Sequence, residues 1–361
     1  MRFLSIDQHV SVIADIRYIF NQLGHQVDER SISGHAPVIG RPSSRFPMLD
    51  NEKWRDVISR HQEEMFYNIY KDEFSQYDGF ICCYPPIFAM LYKYFQKPII
   101  IQIPIRYDCG VESNPVLWEE FNEYLRKGID NGMIYINANS QYDQEYTEGF
   151  LNRNVRYIPS LCQYTGMSYN PVRDKFLYFG SYRLSNNNPS LIYKHDAMRA
   201  GHAWQNIADY KGCIHFPYNI STMSTFEQYT ANIPLFFPTK RYLLELFLAN
   251  KPVLHQISWQ QTMQTGRSSS PIKHTFEYDP NNFADINSIS HWLDLADFYC
   301  TNEMKYIQYF DSEKEMYDLL NLSIEDLLEI SNKMRYHNKV RERYYYDQWT
   351  HVLNQIERKG K

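Results

Sequence analysis

No stretch of this 361-residue chain approaches the roughly 18 consecutive apolar residues that a membrane-spanning helix needs. The start, Met1-Arg-Phe-Leu-Ser-Ile-Asp7, lacks the apolar run and small-residue cleavage site of a secretory leader. Basic runs and a Lys/Arg-rich tail are missing too, and the net charge is −5. Sequence-independent binding of nucleic acid needs a positive footprint, so that class is excluded. Cysteine is scarce. Of Cys82, Cys83, Cys109, Cys162, Cys213 and Cys300, only the first two are close in sequence, and adjacent cysteines suit neither a zinc site nor a redox pair. Most lie in apolar segments and read as reduced core thiols of a cytoplasmic protein. No Gly-x-Gly-x-x-Gly follows a strand-like run, which argues against an NAD-dependent enzyme. No Asp-x-Asp triplet is present, and His202, His215, His255 and His274 have no zinc-site spacing. Asp294-x-x-Asp297 comes nearest and reads as the solvent-facing side of a helix. The expectation is no bound metal and no cofactor.

What is present is globular. Hydrophobic residues make up 43% and charged residues 22%, and the length allows two domains with separate cores. Tyr is abundant, at 31 residues. Its ring area and polar tip suit sugar-binding clefts, although a general drift of composition explains the count equally well.

Strand-like and helix-like segments alternate from the start. Residues 2–6, 26–32, 77–84, 98–105, 133–138 and 155–158 read as strands. The segments 10–23, 52–70, 115–130 and 141–150 have helical spacing, the first stopped by Gly24. This is the rhythm of a doubly wound parallel sheet. Residues 159–174 break it and read as a linker. It then restarts, with strands at 175–180, 212–217 and 233–237. Helices follow at 191–209, 224–231, 240–249, 286–298, 313–320 and 324–358, the last breaking near Tyr336-His337-Asn338. Residues 252–285 read as a long loop beside the cleft. The expected fold is α/β, with two Rossmann-like doubly wound domains facing across a cleft. The expected domains are 1–165, 175–335, and a terminal helix at 336–361 that packs back on the first.

Ligands of such sheets bind beyond the carboxyl ends of the strands, so residues there are the candidates. The turn after the strand at 212–217 contains Tyr218, Asn219, Ser221, Thr222 and Ser224, and a helix containing Glu227 follows. Backbone N–H groups at the helix start would face an anion, and Glu227 would reach a sugar or ribose hydroxyl. Ser224 and Glu227 also have capping-box spacing, which explains both without a ligand. After the strand at 175–180, Gly180 and Ser181 permit close approach to phosphate and Arg183 would neutralise it; an ordinary turn is the alternative. After the first strand, His9 would take a proton from an acceptor hydroxyl, with Asp7 orienting it or acting instead. A polar helix cap is the competing reading of His9. His35 and Arg106 follow two further strands and are candidates for acceptor binding. Together with Asn139-Ser140 they read equally as turn chemistry.

With these segments in view, the chain resembles the glycosyltransferase superfamily with the GT-B fold. The resemblance is carried by residues 212–238 and by 1–35 and 175–183. The family's Glu-x7-Glu motif is half present: Glu227 matches the second Glu and Asn219 stands at the first position. Its glycine-rich first loop is replaced by Gln8-His-Val-Ser11. The match is similar to a divergent branch, like the predicted transferases of polysaccharide and virion-glycan clusters. The resemblance implies a UDP- or GDP-linked sugar donor on the second domain and a glycan or glycoconjugate acceptor on the first. It implies a metal-independent transfer, with any membrane contact peripheral. A non-hydrolysing nucleotide-sugar epimerase and a non-catalytic glycan-binding protein are the alternatives.

Overall fold

The computed structural model describes residues 1–35, 43–44, 46–50, 52–186, 188–197, 204–255, 269–282 and 285–359. It is an α/β protein with two sheets. The first joins β1 (Arg2–Asp7), β2 (Gln26–Ser31), β3 (Gly79–Cys82), β4 (Ile99–Ile103), β5 (Ile134–Ala138) and β6 (Arg156–Tyr157) in the order β2-β1-β3-β4-β5-β6. The second joins β7 (Phe176–Phe179), β8 (Leu191–Tyr193), β9 (Cys213–His215), β10 (Leu235–Pro238) and β11 (Gln308–Phe310) in the order β11-β10-β9-β7-β8. Every strand pairing is parallel. Parallel strands are covered on both faces, which is why β4 reads Ile-Ile-Ile-Gln-Ile and is buried throughout. Its one polar side chain, Gln102, donates to the Ile158 carbonyl at 2.8 Å.

The strand order reverses between β1 and β3 in one sheet and between β7 and β9 in the other. These are the topological switch points at which an open α/β sheet has a crevice. The chain divides into two compact units. Unit 1 comprises the described residues of 1–160, 261–288 and 345–361; unit 2 comprises those of 161–260 and 289–344. Residues 269–282, counted with the second half on sequence grounds, therefore pack in unit 1. The Thr275 amide donates to the Gly149 carbonyl at 2.9 Å. Phe276 lies so close that a Cβ on Gly149 would stand 2.2 Å from its ring.

Three element expectations need correction. The helix expected over 52–70 is two helices, Trp54–Ser59 and Glu63–Phe74, separated at His61, whose φ is +51°. The helix expected over 191–209 begins as the edge strand β8, followed by short helices at Lys194–Ala197 and Trp204–Ala208. The break expected near Tyr336 is absent: Ile324–Lys359 is one helix. No Gly or Pro interrupts it, and Leu327, Met334, Tyr345, Trp349, Val352 and Ile356 keep a buried stripe along it. Of the residues that suggested a break, His337 and Asn338 point inward. His337 Nε2 lies 3.1 Å from the Glu303 carbonyl, and Asn338 Nδ2 donates to the Tyr229 carbonyl at 2.8 Å. The helix stop expected at Gly24 behaves as read: Val10–Gln22 ends there, with Gly24 at φ +79°.

Candidate functional site

At the carboxyl ends of β7 and β9, at the switch point of unit 2, lies a cavity of about 290 Å³. Phe179, Gly180 and Ser181 line it from β7 and its turn, and His215 to Asn219 from β9 and its turn. Thr222, Ser224 and Thr225 come from the start of the helix Met223–Thr230, and Tyr193, Lys194 and His195 from the end of β8. Phe298 completes one side. Gly180 packs closely on its neighbour, and a Cβ there would lie 3.0 Å from the Phe216 Cβ and carbonyl oxygen.

The charge of the lining is one-signed. Lys194 contributes a cation and no Asp or Glu lines the cavity among the described residues. The Lys194 Nζ lies 5.1 Å over the Phe179 ring. Thr222 is the N-cap of Met223–Thr230, but its side chain makes no cap bond to the helix amides. Instead its Oγ1 lies 2.9 Å from Thr225 Oγ1 and 3.2 Å from Ser224 Oγ. The wall thus offers hydroxyls, a helix N-terminus and an ammonium group, the elements of an anion site.

His215 forms part of the cavity wall in an aromatic stack. It lies between Phe179 and Phe237, with ring centroids 4.8 and 4.6 Å away, and Phe237 stacks in turn on Phe298 at 4.6 Å. Its Nε2 lies 2.7 Å from Gln228 Oε1. Burial lowers its pKa to about 4, because an imidazolium between rings loses its hydration. The ring is neutral at neutral pH.

Of the donor-site residues expected from sequence, Gly180, Ser181, Tyr218, Asn219, Thr222 and Ser224 line this cavity. Arg183, Ser221 and Glu227 are not in its wall. Arg183 is exposed. Ser221 donates to Asp297 Oδ2 at 2.9 Å. That Asp297 is buried, so the solvent-facing reading of Asp294-x-x-Asp297 fails at its second member; Asp294 pairs with Lys240. Glu227 is buried and accepts from the Tyr164 hydroxyl at 2.5 Å. The capping box does not form, since the cap position falls on Thr222 and Ser224 lies inside the helix. Lys194, His195 and Phe298 were not expected. The first two were concealed by reading 191–209 as a single helix.

In unit 1, Asp7 ends β1 at the other switch point. It is fully buried, and burial together with Glu29 raises its carboxyl well above the usual range. Its Oδ1 has no hydrogen-bond partner, and it accepts from the backbone N–H of His9 rather than from the imidazole. His9 is the N-cap residue of Val10–Gln22, with no side-chain cap bond. Its Nδ1 is buried without a partner, and its ring meets Tyr84 edge-on at 6.1 Å. Burial above all, with a smaller push from neighbouring His35, lowers its pKa to about 4 against the opposing effect of its own backbone hydrogen bond. Asp7 therefore does not orient the His9 ring. His35 is exposed and its amide donates to Ser33 Oγ at 3.1 Å.

Arg106 is not available to an acceptor. It is buried, chelated by Asp108 through Nε at 3.0 Å and through Nη2, and it donates to Asn281 Oδ1 at 2.5 Å. Its guanidinium also lies 4.2 Å over the Tyr146 ring. Asn139 and Ser140 follow the turn reading: Asn139 Oδ1 accepts from the Ser160 amide at 2.5 Å and Ser140 caps Gln141–Leu151. Among the described residues no three His, Cys, Asp or Glu side chains stand together as a ligand set. His202 lies outside the described residues.

No protein-family model matches the chain, and a comparison with the curated proteins finds no match. Solved structures resemble it over most of its length. The calicheamicin glycosyltransferase CalG4 is 9% identical, with 98% of each chain covered and a TM-score of 0.43. The glycosyltransferase SnogD from Streptomyces nogalater is 10% identical over 98% of this chain and 99% of its own, with a TM-score of 0.44. A protein assigned as a UDP-N-acetylglucosamine 2-epimerase from Listeria monocytogenes is 10% identical, covering 81% of this chain and 95% of its own, with a TM-score of 0.42.

Proposed function

We propose that the chain is a glycosyltransferase of the GT-B type that moves a sugar from a UDP- or GDP-linked donor to a hydroxyl of a glycan or glycoconjugate. The reading rests chiefly on the unit 2 cavity, which sits at a strand-order reversal with a lysine and hydroxyls in its wall and, among the described residues, no carboxylate. A diphosphate would lie against Lys194, Ser181, Thr222 and Ser224, with Gly180 allowing close backbone approach. Tyr218 and Asn219 would contact the nucleoside or sugar. As the glycosidic C–O bond breaks, charge gathers on the leaving diphosphate. The helix start and Lys194 would stabilise it without a metal. His9 is the candidate base that takes the acceptor proton, with Asp7 the alternative and His35 an acceptor contact. The free and mostly buried cysteines accord with a reducing compartment, which we read as the cytoplasm.

The test is a calorimetric panel of UDP, GDP, ADP and CMP and their sugars, run on the native chain and on Lys194→Ala. Saturable binding of a nucleoside diphosphate that the variant loses supports the reading. Failure of the native chain to bind any nucleotide overturns it and leaves a glycan-binding protein. Product analysis with and without an acceptor separates transfer from epimerisation, since only an epimerase releases altered sugar with no acceptor present.

A further inference from the structure

The long helix Ile324–Lys359 leaves three large side chains in solvent at successive turns: Tyr336, Val340 and Tyr344 are 74%, 53% and 56% exposed. An i, i+4, i+8 spacing sets them on one face. The same face carries Lys333, Lys339 and Arg343, all exposed. Within 333–343 stand five cations and one carboxylate, Glu342, in a chain whose net charge is −5; Lys333, Arg335, Lys339 and Arg343 are exposed, and Arg341 is buried beside Glu303. Glu342 is half-buried beside Arg335 and Lys339 in a small cavity, Glu329 pairs with Lys333 at 2.6 Å, and Asp347 follows one turn beyond the stripe. No helix of the described residues is long and apolar enough to cross a membrane. An aromatic and apolar stripe edged by Lys and Arg is the composition of a helix that lies on an anionic lipid surface.

We propose that this face, from Lys333 to Tyr344, docks the protein on an anionic membrane surface. The charge pattern favours lipid over a second copy of the chain, because two such faces would bring like charges together. The proposal stands apart from the transferase reading and holds or fails without it.

The experiment is co-sedimentation of the full chain with vesicles of phosphatidylcholine alone and of phosphatidylcholine mixed in equal parts with phosphatidylglycerol. Binding is expected to the mixed vesicles only, and to fall with added salt. Lys339→Gln with Arg343→Gln should weaken partitioning roughly twenty-five-fold, at about five-fold for each lost cation. Tyr336→Ser with Val340→Ser and Tyr344→Ser should weaken it as well, at an unchanged melting temperature. Absence of binding to mixed vesicles, equal binding to neutral ones, or full binding by both variants overturns the proposal. So does a solution dimer, seen by sedimentation velocity, that the serine variant dissolves.

Discussion

His215 and Gln228 meet at 2.7 Å behind the cavity wall, and the bond holds a neutral imidazole inside a stack of phenyl rings. Its pKa falls from 6.5 to about 4 on folding. The unfolded chain therefore binds a proton more readily than the folded one. This histidine's contribution is complete above about pH 6.5 and is lost as pH falls towards 4, amounting to about 2 kcal/mol by pH 5. His9, lowered to about 4 as well, adds a loss of the same sign. In urea titrations at pH 7 and pH 5, His215→Phe should lose about 2 kcal/mol less stability between the two than the native chain does.

Lys194 is the one ammonium in the cavity wall among the described residues. Its replacement by Ala should weaken binding of a nucleoside diphosphate by about 10- to 100-fold, the size of a charge-assisted hydrogen bond. The ligand-free melting temperature should not move, since the side chain is partly in solvent. Calorimetry and thermal shift on the same preparations read both quantities.

Glu227 should behave in the opposite way. Its carboxylate is buried and held by Tyr164. Glu227→Ala should cost stability, about 1–3 kcal/mol for stranding the partly buried Tyr164 hydroxyl and losing the contact, while nucleotide affinity stays within about two-fold. A large loss of affinity in a chain that melts normally would return Glu227 to the ligand site.

Arg106→Met should destabilise unit 1 strongly, by about 3–5 kcal/mol, because Asp108 is left buried without its counter-charge. The same change removes the bond to Asn281. Limited proteolysis should then cut within 269–282 earlier than in the native chain.

Much of this architecture was legible from residue patterns alone. The isoleucines of β4 and the helical spacing of 10–22 announce themselves because a parallel sheet is covered on both faces. The short edge strands of the second sheet, β8 and β11, were not legible. Leu191-Ile-Tyr193 is only part-buried and runs directly into Lys194-His-Asp-Ala197, so its two apolar residues merge with a helical pattern. That merger also hid Lys194. At the site, Gly180 and the 218–224 turn could be found because they follow strands. The direction in which Glu227 points could not, since its partner Tyr164 stands 63 residues away. Nor could the burial of Arg106, which depends on Asn281, 175 residues further on.

The final turns of Ile324–Lys359 belong to the body that the first strand begins. Trp349 meets Phe20 at 5.2 Å, and Gln355 accepts from Arg156 at 2.7 Å. During synthesis the core of unit 1 would therefore stay open at Phe20 until Trp349 and Gln355 have been made. Only unit 2, whose residues are all made by Tyr344, can close earlier. A nascent chain stalled just before Trp349 should thus be recognised by chaperones around Phe20 rather than at its newest residues.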